Sequence, residues 1–190
     1  MLNVASPAAP PAAVPERLTI SPAEHSHATG LRVLVADALA QEGQSWSSKP
    51  PLHTDTEITI DDIHALITAQ RSQLLVAIED HVIVGCVLVT RLSGERCALG
   101  LLGVNPAYRR RGLGARLIAA AEAAAKNCFG SDQIELCVLA ERAKLAAYYE
   151  RLGFTLTGEH RTVPLADATM EFHVMAKPLI RHAPSTLGVN

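Results

Sequence analysis

Three arginines and two glycines, Arg109-Arg-Arg-Gly-Leu-Gly114, stand between two apolar runs and together make a place for an anion. The run before them, Cys97 to Val104, has the small and branched residues of a buried strand, and the run after keeps Leu113, Leu117, Ala121 and Ala124 on one helical stripe. The first amides of a helix have no intrahelical acceptor and carry the positive end of its dipole. A phosphate placed there gains about 0.3–1 kcal/mol from the dipole besides its hydrogen bonds. Gly112 and Gly114 let the anion reach the backbone, and glycine tolerates the positive φ that such a turn needs. The spacing lacks the third glycine of the dinucleotide fingerprint and the Gly-Lys-Ser/Thr ending of a P-loop, so neither nucleotide motif is met.

A second chemical stretch follows one helix later. Ile134 to Leu139 alternates as a strand, and Leu145, Tyr148, Tyr149 and Leu152 then follow helical spacing up to Gly153, placed as a C-terminal cap. Tyr149 offers a phenol whose ordinary pKa near 10 keeps it protonated at neutral pH and able to donate a proton.

Read together, the two stretches resemble the GNAT N-acetyltransferase superfamily. The first matches its Arg/Gln-x-x-Gly-x-Gly/Ala acyl-CoA loop, with Val104-Asn-Pro106 at the strand end. The second matches its Leu-x-Val strand and Tyr-x-x-x-Gly-Phe helix, as Leu136-x-Val138 and Tyr149-x-x-x-Gly153-Phe154. The resemblance covers residues 73 to 158 well. Arg142 stands where the superfamily often has an asparagine that meets the pantetheine arm, and Leu145 where it often has alanine.

The resemblance implies acetyl-CoA as acyl donor and no metal. Its pyrophosphate would lie on Arg109, Arg110, Arg111, Gly112, Leu113, Gly114 and Ala115, and its pantetheine arm would pair with backbone at Leu102, Gly103 and Val104, between two strands that splay apart. Gly100 and Gly103 suit a close backbone approach or a glycine bulge there. The implied reaction is acetyl transfer to a primary amine by direct attack in a ternary complex, with Tyr149 as proton donor. No carboxylate lies in the strand 97–104, and the superfamily's usual glutamate position is Cys137. Glu135, on the same strand face as Cys137, is the nearest carboxylate and the candidate base. Glu171, His173 and His160 are others, and water can relay the proton instead. A different outcome is a CoA-binding or sensing module of the same fold without catalysis. The acceptor, whether a small amine or a peptide or protein amine, is not encoded in either motif.

These residues need elements to hold them. Arg17 to Ile20 reads as a first strand, about Glu24 to Gln41 as a helix, and Thr59-x-x-Asp62 as a capping-box start of a short helix reaching about Ala69. Leu74 to Ile78 and Val82 to Arg91 form a hairpin, and Phe154 to Gly158 with Thr169 to Lys177 a final antiparallel pair. One helical crossover joins the strand ending near Val104 to the one starting near Ile134, which makes those two parallel neighbours. The expected architecture is therefore a mixed α/β, GNAT-like fold: a mostly antiparallel sheet with one splayed parallel pair, flanked by about four helices.

At 190 residues and 48% hydrophobic, the chain can bury one sizeable core. We expect an Ala/Pro-rich disordered segment over residues 1–16, one domain over 17–180 and a flexible tail over 181–190. A net charge of −2, with the arginine triplet as a local feature, points away from nucleic acid. No apolar run has membrane-span length and no secretory leader is visible, which points to a cytoplasmic protein. Cys86, Cys97, Cys128 and Cys137 have no metal-binding spacing. The superfamily often forms homodimers, and such pairing is compatible with this chain.

Overall fold

The computed structural model describes residues 18–40, 58–164 and 169–179. The expected segments 1–16 and 181–190, and the connection around Trp46, lie outside the described residues. The elements in chain order are β1 (Thr19–Pro22), α1 (Ala28–Ala40), α2 (Ile60–Thr68), β2 (Ser72–Glu79), β3 (Val82–Arg91), β4 (Arg96–Val104), α3 (Leu113–Phe129), β5 (Gln133–Leu139), α4 (Ala143–Arg151), β6 (Thr155–Pro164) and β7 (Thr169–Pro178). Short 3-10 turns at His25–His27 and Pro106–Tyr108 precede α1 and α3.

Local chemistry explains most of the boundaries. Thr59 caps α2, accepting from the Asp62 amide while Asp62 accepts from the Thr59 amide, so two otherwise orphaned donors are satisfied. Gly130 ends α3 at φ 63, and Gly153 follows α4 at φ 90, both in the left-handed region that glycine enters without penalty. The first helix starts later than its apolar spacing predicts. His27 Nδ1 accepts from the Glu24 amide and holds residues 25–27 in a 3-10 turn. β6 in turn is longer than Phe154 to Gly158, because a bulge between Leu156 and His160 restores its pairing with β7.

The seven strands form one sheet in the order β1-β2-β3-β4-β5-β7-β6. Every pairing is antiparallel except β4 with β5. One face packs on α3, with Leu99, Leu117, Ile118, Ala121, Leu136, Val138, Tyr149 and Phe154 in its core. The other face carries α1 and α2 over Leu74, Val76, Cys86, Leu88 and Leu101, with Cys137, Phe172 and Val174 as a smaller cluster further along. Among the described residues this is the expected mixed, mostly antiparallel fold, with one parallel pair and four helices.

Candidate functional site

The parallel pair stays together for three rungs only, Arg96 with Gln133, Cys97 with Ile134 and Ala98 with Glu135. Beyond that rung β4 continues to Val104 and β5 to Leu139 with no further pairing between them. A V-shaped gap thus opens in the sheet toward the carboxyl ends of both strands, where α/β sheets take their ligands.

A bulge shapes the β4 side of this gap. Register slips between Cys86 and Leu88 of β3, and Leu101 opposite them has φ 47. The slip reverses the alternation of side chains: Cys97 and Leu99 point into the α3 core, Leu101 into the α1–α2 core, and Leu102 and Val104 pack against the α3 core again. The residue in the left-handed region is therefore Leu101 and not Gly100 or Gly103. A non-glycine residue there costs about 1–2 kcal/mol, offset by the complete burial of its side chain.

At the end of β4 the chain turns through Asn105, whose side chain accepts from the Ala107 amide, and reaches the arginine triplet. Arg110 at φ 63 and Gly112 at φ 76 are both left-handed, and Gly112 is the N-cap of α3. Helical hydrogen bonding begins with the Arg116 amide donating to the Gly112 carbonyl at 3.1 Å. The amides of Leu113, Gly114 and Ala115 therefore precede the ladder at the positive end of a 17-residue helix. Arg111 leans back, its guanidinium 4.0 Å from Glu79 and stacked 5.3 Å from the Tyr108 ring.

The two glycines serve different ends. A Cβ on Gly112 would meet nothing within 4 Å, so its requirement is conformational. A Cβ on Gly114 would lie 3.0 Å from the Tyr148 hydroxyl, so its requirement is space. Tyr148, read from spacing as a packing residue, thus also brings its hydroxyl to the start of α3. Its side chain lines a surface groove of about 560 Å³ with Glu141, Arg142, Ala143, Lys144 and Leu145. Burial holds the Tyr148 phenol above its ordinary pKa, despite the opposing pull of Arg151.

Tyr149 points the other way, into the sheet. It is 0% exposed, with its ring 5.9 Å from Phe154 and 5.5 Å from Tyr148, both in edge contact. It packs in the same core as Leu99, Leu136 and Val138, residues of the two splayed strands, and its hydroxyl oxygen is shielded from solvent.

Glu135 lies at the last paired rung, on the face that carries α1 and α2. It is 2% exposed, and each carboxylate oxygen accepts from a guanidinium: Oε1 from Arg161 at 2.5 Å and Oε2 from Arg96 at 3.4 Å. Arg161 also reaches the Cys137 sulfur at 3.4 Å. Its partial burial works against the charge, yet the bond to Glu135 holds its pKa above the ordinary value. Burial raises the Cys137 thiol. The alternation that put Glu135 and Cys137 on one face holds; Arg161, absent from the sequence reading, completes the cluster from β6. His160 Nδ1 lies 2.8 Å from Glu171, and the His160 and His173 rings are 4.8 Å apart. Register places these three with Leu156 and Met175, on the sheet face opposite Glu135.

No group of histidine, cysteine or acidic side chains among the described residues has the arrangement of a metal site. Nor is any helix among them long and apolar enough to cross a membrane.

A sheet parted between two parallel strands, beside a helix start whose first amides precede the ladder, offers a cleft to a ligand that carries a phosphate. The model of the acetyltransferase (GNAT) family matches residues 38–154, and the chain belongs to that family. Three solved structures illustrate the fold. The Salmonella typhimurium protein yncA, held with its cofactor acetyl-CoA, has a TM-score of 0.71 at 19% identity, covering 90% of this chain and 99% of that one. The Escherichia coli ribosomal-protein-S18-alanine N-acetyltransferase has a TM-score of 0.64 at 20% identity over 90% of this chain and 99% of its own. A ribosomal-protein-alanine N-acetyltransferase from Brucella melitensis gives 0.70 at 18% over 85% and 99%. No curated protein matches the sequence.

Proposed function

We propose that this protein is an acetyl-CoA-dependent N-acetyltransferase that moves the acetyl group to a primary amine by direct attack in a ternary complex. The observation that carries this reading is the gap between β4 and β5, opening after the Ala98–Glu135 rung beside the free amides of α3. A GNAT structure holding acetyl-CoA supports the choice of donor. The local fit does too: the space at Gly114 is bounded by the Tyr148 hydroxyl and would be filled by a Cβ. In this reading the backbone of Leu102, Gly103 and Val104 pairs with the pantetheine arm, and residues 109–115 hold the pyrophosphate.

The neutral amine attacks the thioester carbonyl, a C–N bond forms, and the C–S bond breaks. Tyr149 gives the departing sulfur its proton and recovers one from the proton that the amine releases through water. Glu135 sits at the vertex of the gap, but taking a proton there requires giving up a guanidinium. We therefore assign it to holding Arg96 and Arg161 in place, with the amine proton leaving through solvent. Tyr149→Phe keeps the ring and its packing and removes only the hydroxyl. It is expected to lower kcat tenfold or more with the CoA dissociation constant unchanged, read by thiol release and by calorimetry. Equal turnover would remove the donor role. CoA binding with no acetylation of any amine class would show the binding-module reading instead.

A further inference from the structure

The cluster at the vertex of the gap has more positive charge than its carboxylate needs. Arg96 and Arg161 both bond to Glu135, and their side chains remain 41% and 44% exposed while that of Glu135 is 2% exposed. A guanidinium has five N–H donors, and Arg161 spends one on Glu135 and one on Cys137. The side chain as a whole stays 44% exposed.

The way Arg161 is held is specific. It stands on the edge strand β6, opposite Phe172 of β7, and its partners are on β5, one strand further in. Its side chain therefore spans β7, across the face where Phe172, Val174 and Cys137 form an apolar cluster. A long side chain laid flat and tied at its tip has already lost the freedom that binding would otherwise cost. A buried carboxylate clamped by two arginines gains little stability over an apolar replacement. It does, however, hold two guanidiniums at one point.

That point is on the approach to the reaction. The α3 start and Tyr149 lie on one face of the sheet, so a donor held there presents its thioester in the gap, and the amine arrives from the other face. The Ala98–Glu135 rung at the base of the gap bears Glu135 on that second face, with Arg96 and Arg161 on it. Glu159 of β6 is a further charge near Cys137, acting in the same sense as Glu135. Resting on the acetyltransferase reading, the geometry points to an acceptor that carries a carboxylate as well as its amine, with Arg161 as the residue that takes the carboxylate. A planar guanidinium binds a carboxylate through two parallel bonds, which also fixes the direction of the attached amine.

The test uses matched acceptors on the unaltered protein: the amino acids against their carboxamides, and ω-amino acids against alkylamines of equal length. Thiol release gives kcat/KM, and melting in the presence of CoA gives binding without turnover. The acids are expected to be preferred by about ten- to a hundredfold, the range of a charge-assisted bidentate contact. Amino-acid amides are the less basic amines, so this bias runs against the expected result. Arg161→Lys should retain part of the preference and Arg161→Gln should abolish it, with CoA affinity unchanged in both. Equal kcat/KM for acids and amides, or a loss in Arg161→Gln that falls on both alike, overturns the assignment while leaving the acetyltransferase intact. If CoA binds and no amine is acetylated, the acetyltransferase reading fails. Stabilisation by acids over amides, dependent on Arg161, then decides the carboxylate site alone.

Discussion

Replacing the two glycines of the α3 turn one at a time separates conformation from space. At Gly112 the φ of 76 penalises alanine, and the open surroundings add no collision. The cost is that of one left-handed residue, about 1–2 kcal/mol. For a chain of this size that corresponds to a melting point lower by about 2–8 °C. The turn is retained, so CoA affinity should fall less than about tenfold. Gly114 behaves in the opposite way. The new Cβ meets the Tyr148 hydroxyl at 3.0 Å and its ring carbon at 4.0 Å, and a side-chain tip on the rim of a groove can yield a few tenths of an ångström. Alanine also gains up to about 1 kcal/mol in helix preference over glycine, so Gly114→Ala should melt at or slightly above the parent temperature. Its methyl group nevertheless projects into the space before the free amides. Losing the dipole term of about 0.3–1 kcal/mol and one charge-assisted bond of about 1.5–3 kcal/mol amounts to roughly 2–4 kcal/mol. Gly114→Val should show all of this, about 30- to 1000-fold in CoA dissociation constant, and Gly114→Ala about tenfold. Scanning calorimetry and titration calorimetry with CoA measure the two effects on the same samples. Parent-like CoA binding by Gly114→Val, in a folded protein, would refute the placement of the pyrophosphate at this helix start.

Further expectations concern the vertex cluster and the buried thiols. Glu135→Gln leaves two guanidiniums without their counter-charge, and about 2–4 kcal/mol of stability should be lost in urea unfolding, while Glu135→Gln with Arg161→Met should recover part of it; a neutral single variant would deny that the pair is coupled. Burial raises the Cys86 thiol from 9.0 to about 12, so the folded state favours its protonated form. This contribution is fully present below pH 9 and is lost as the pH rises toward 12, because there the unfolded chain releases its proton first. Cys86→Ala should flatten the alkaline fall in stability, and an unchanged slope would assign that fall to other groups. In the folded protein at pH 8, a thiol reagent should modify Cys128, the exposed cysteine, well before the three buried ones, as counted by mass spectrometry.

Much of the fold was legible because its signals are local. Thr59 and Asp62 make a capping box within four residues, and Gly153 ends a helix by its own φ. The two arms of the β2–β3 hairpin announce themselves as separate apolar runs. Both glycines of the α3 turn were legible for the same reason, since a helix start and a tight turn are properties of neighbouring residues. The bulge at Leu101 was not, because its φ follows from how β4 must register against β3 while switching between two cores. Tyr148 was assigned to packing from its place on the helix, and its approach to Gly114 depends on how α4 sits against α3.

By itself, then, the sequence determined the order of elements, the glycine turn that opens a helix within residues 109–115, and the tyrosine helix that ends in Gly153-Phe154. Each of these rests on spacing along one segment. Tertiary structure alone decided the rest. The β4–β5 pair parts after Ala98 and Glu135, and Arg161 crosses from β6 to bind a glutamate 26 residues earlier in the chain. Pairing across a sheet brings together residues that have no fixed separation in sequence, and so the Arg161–Glu135 pair is written only in the fold.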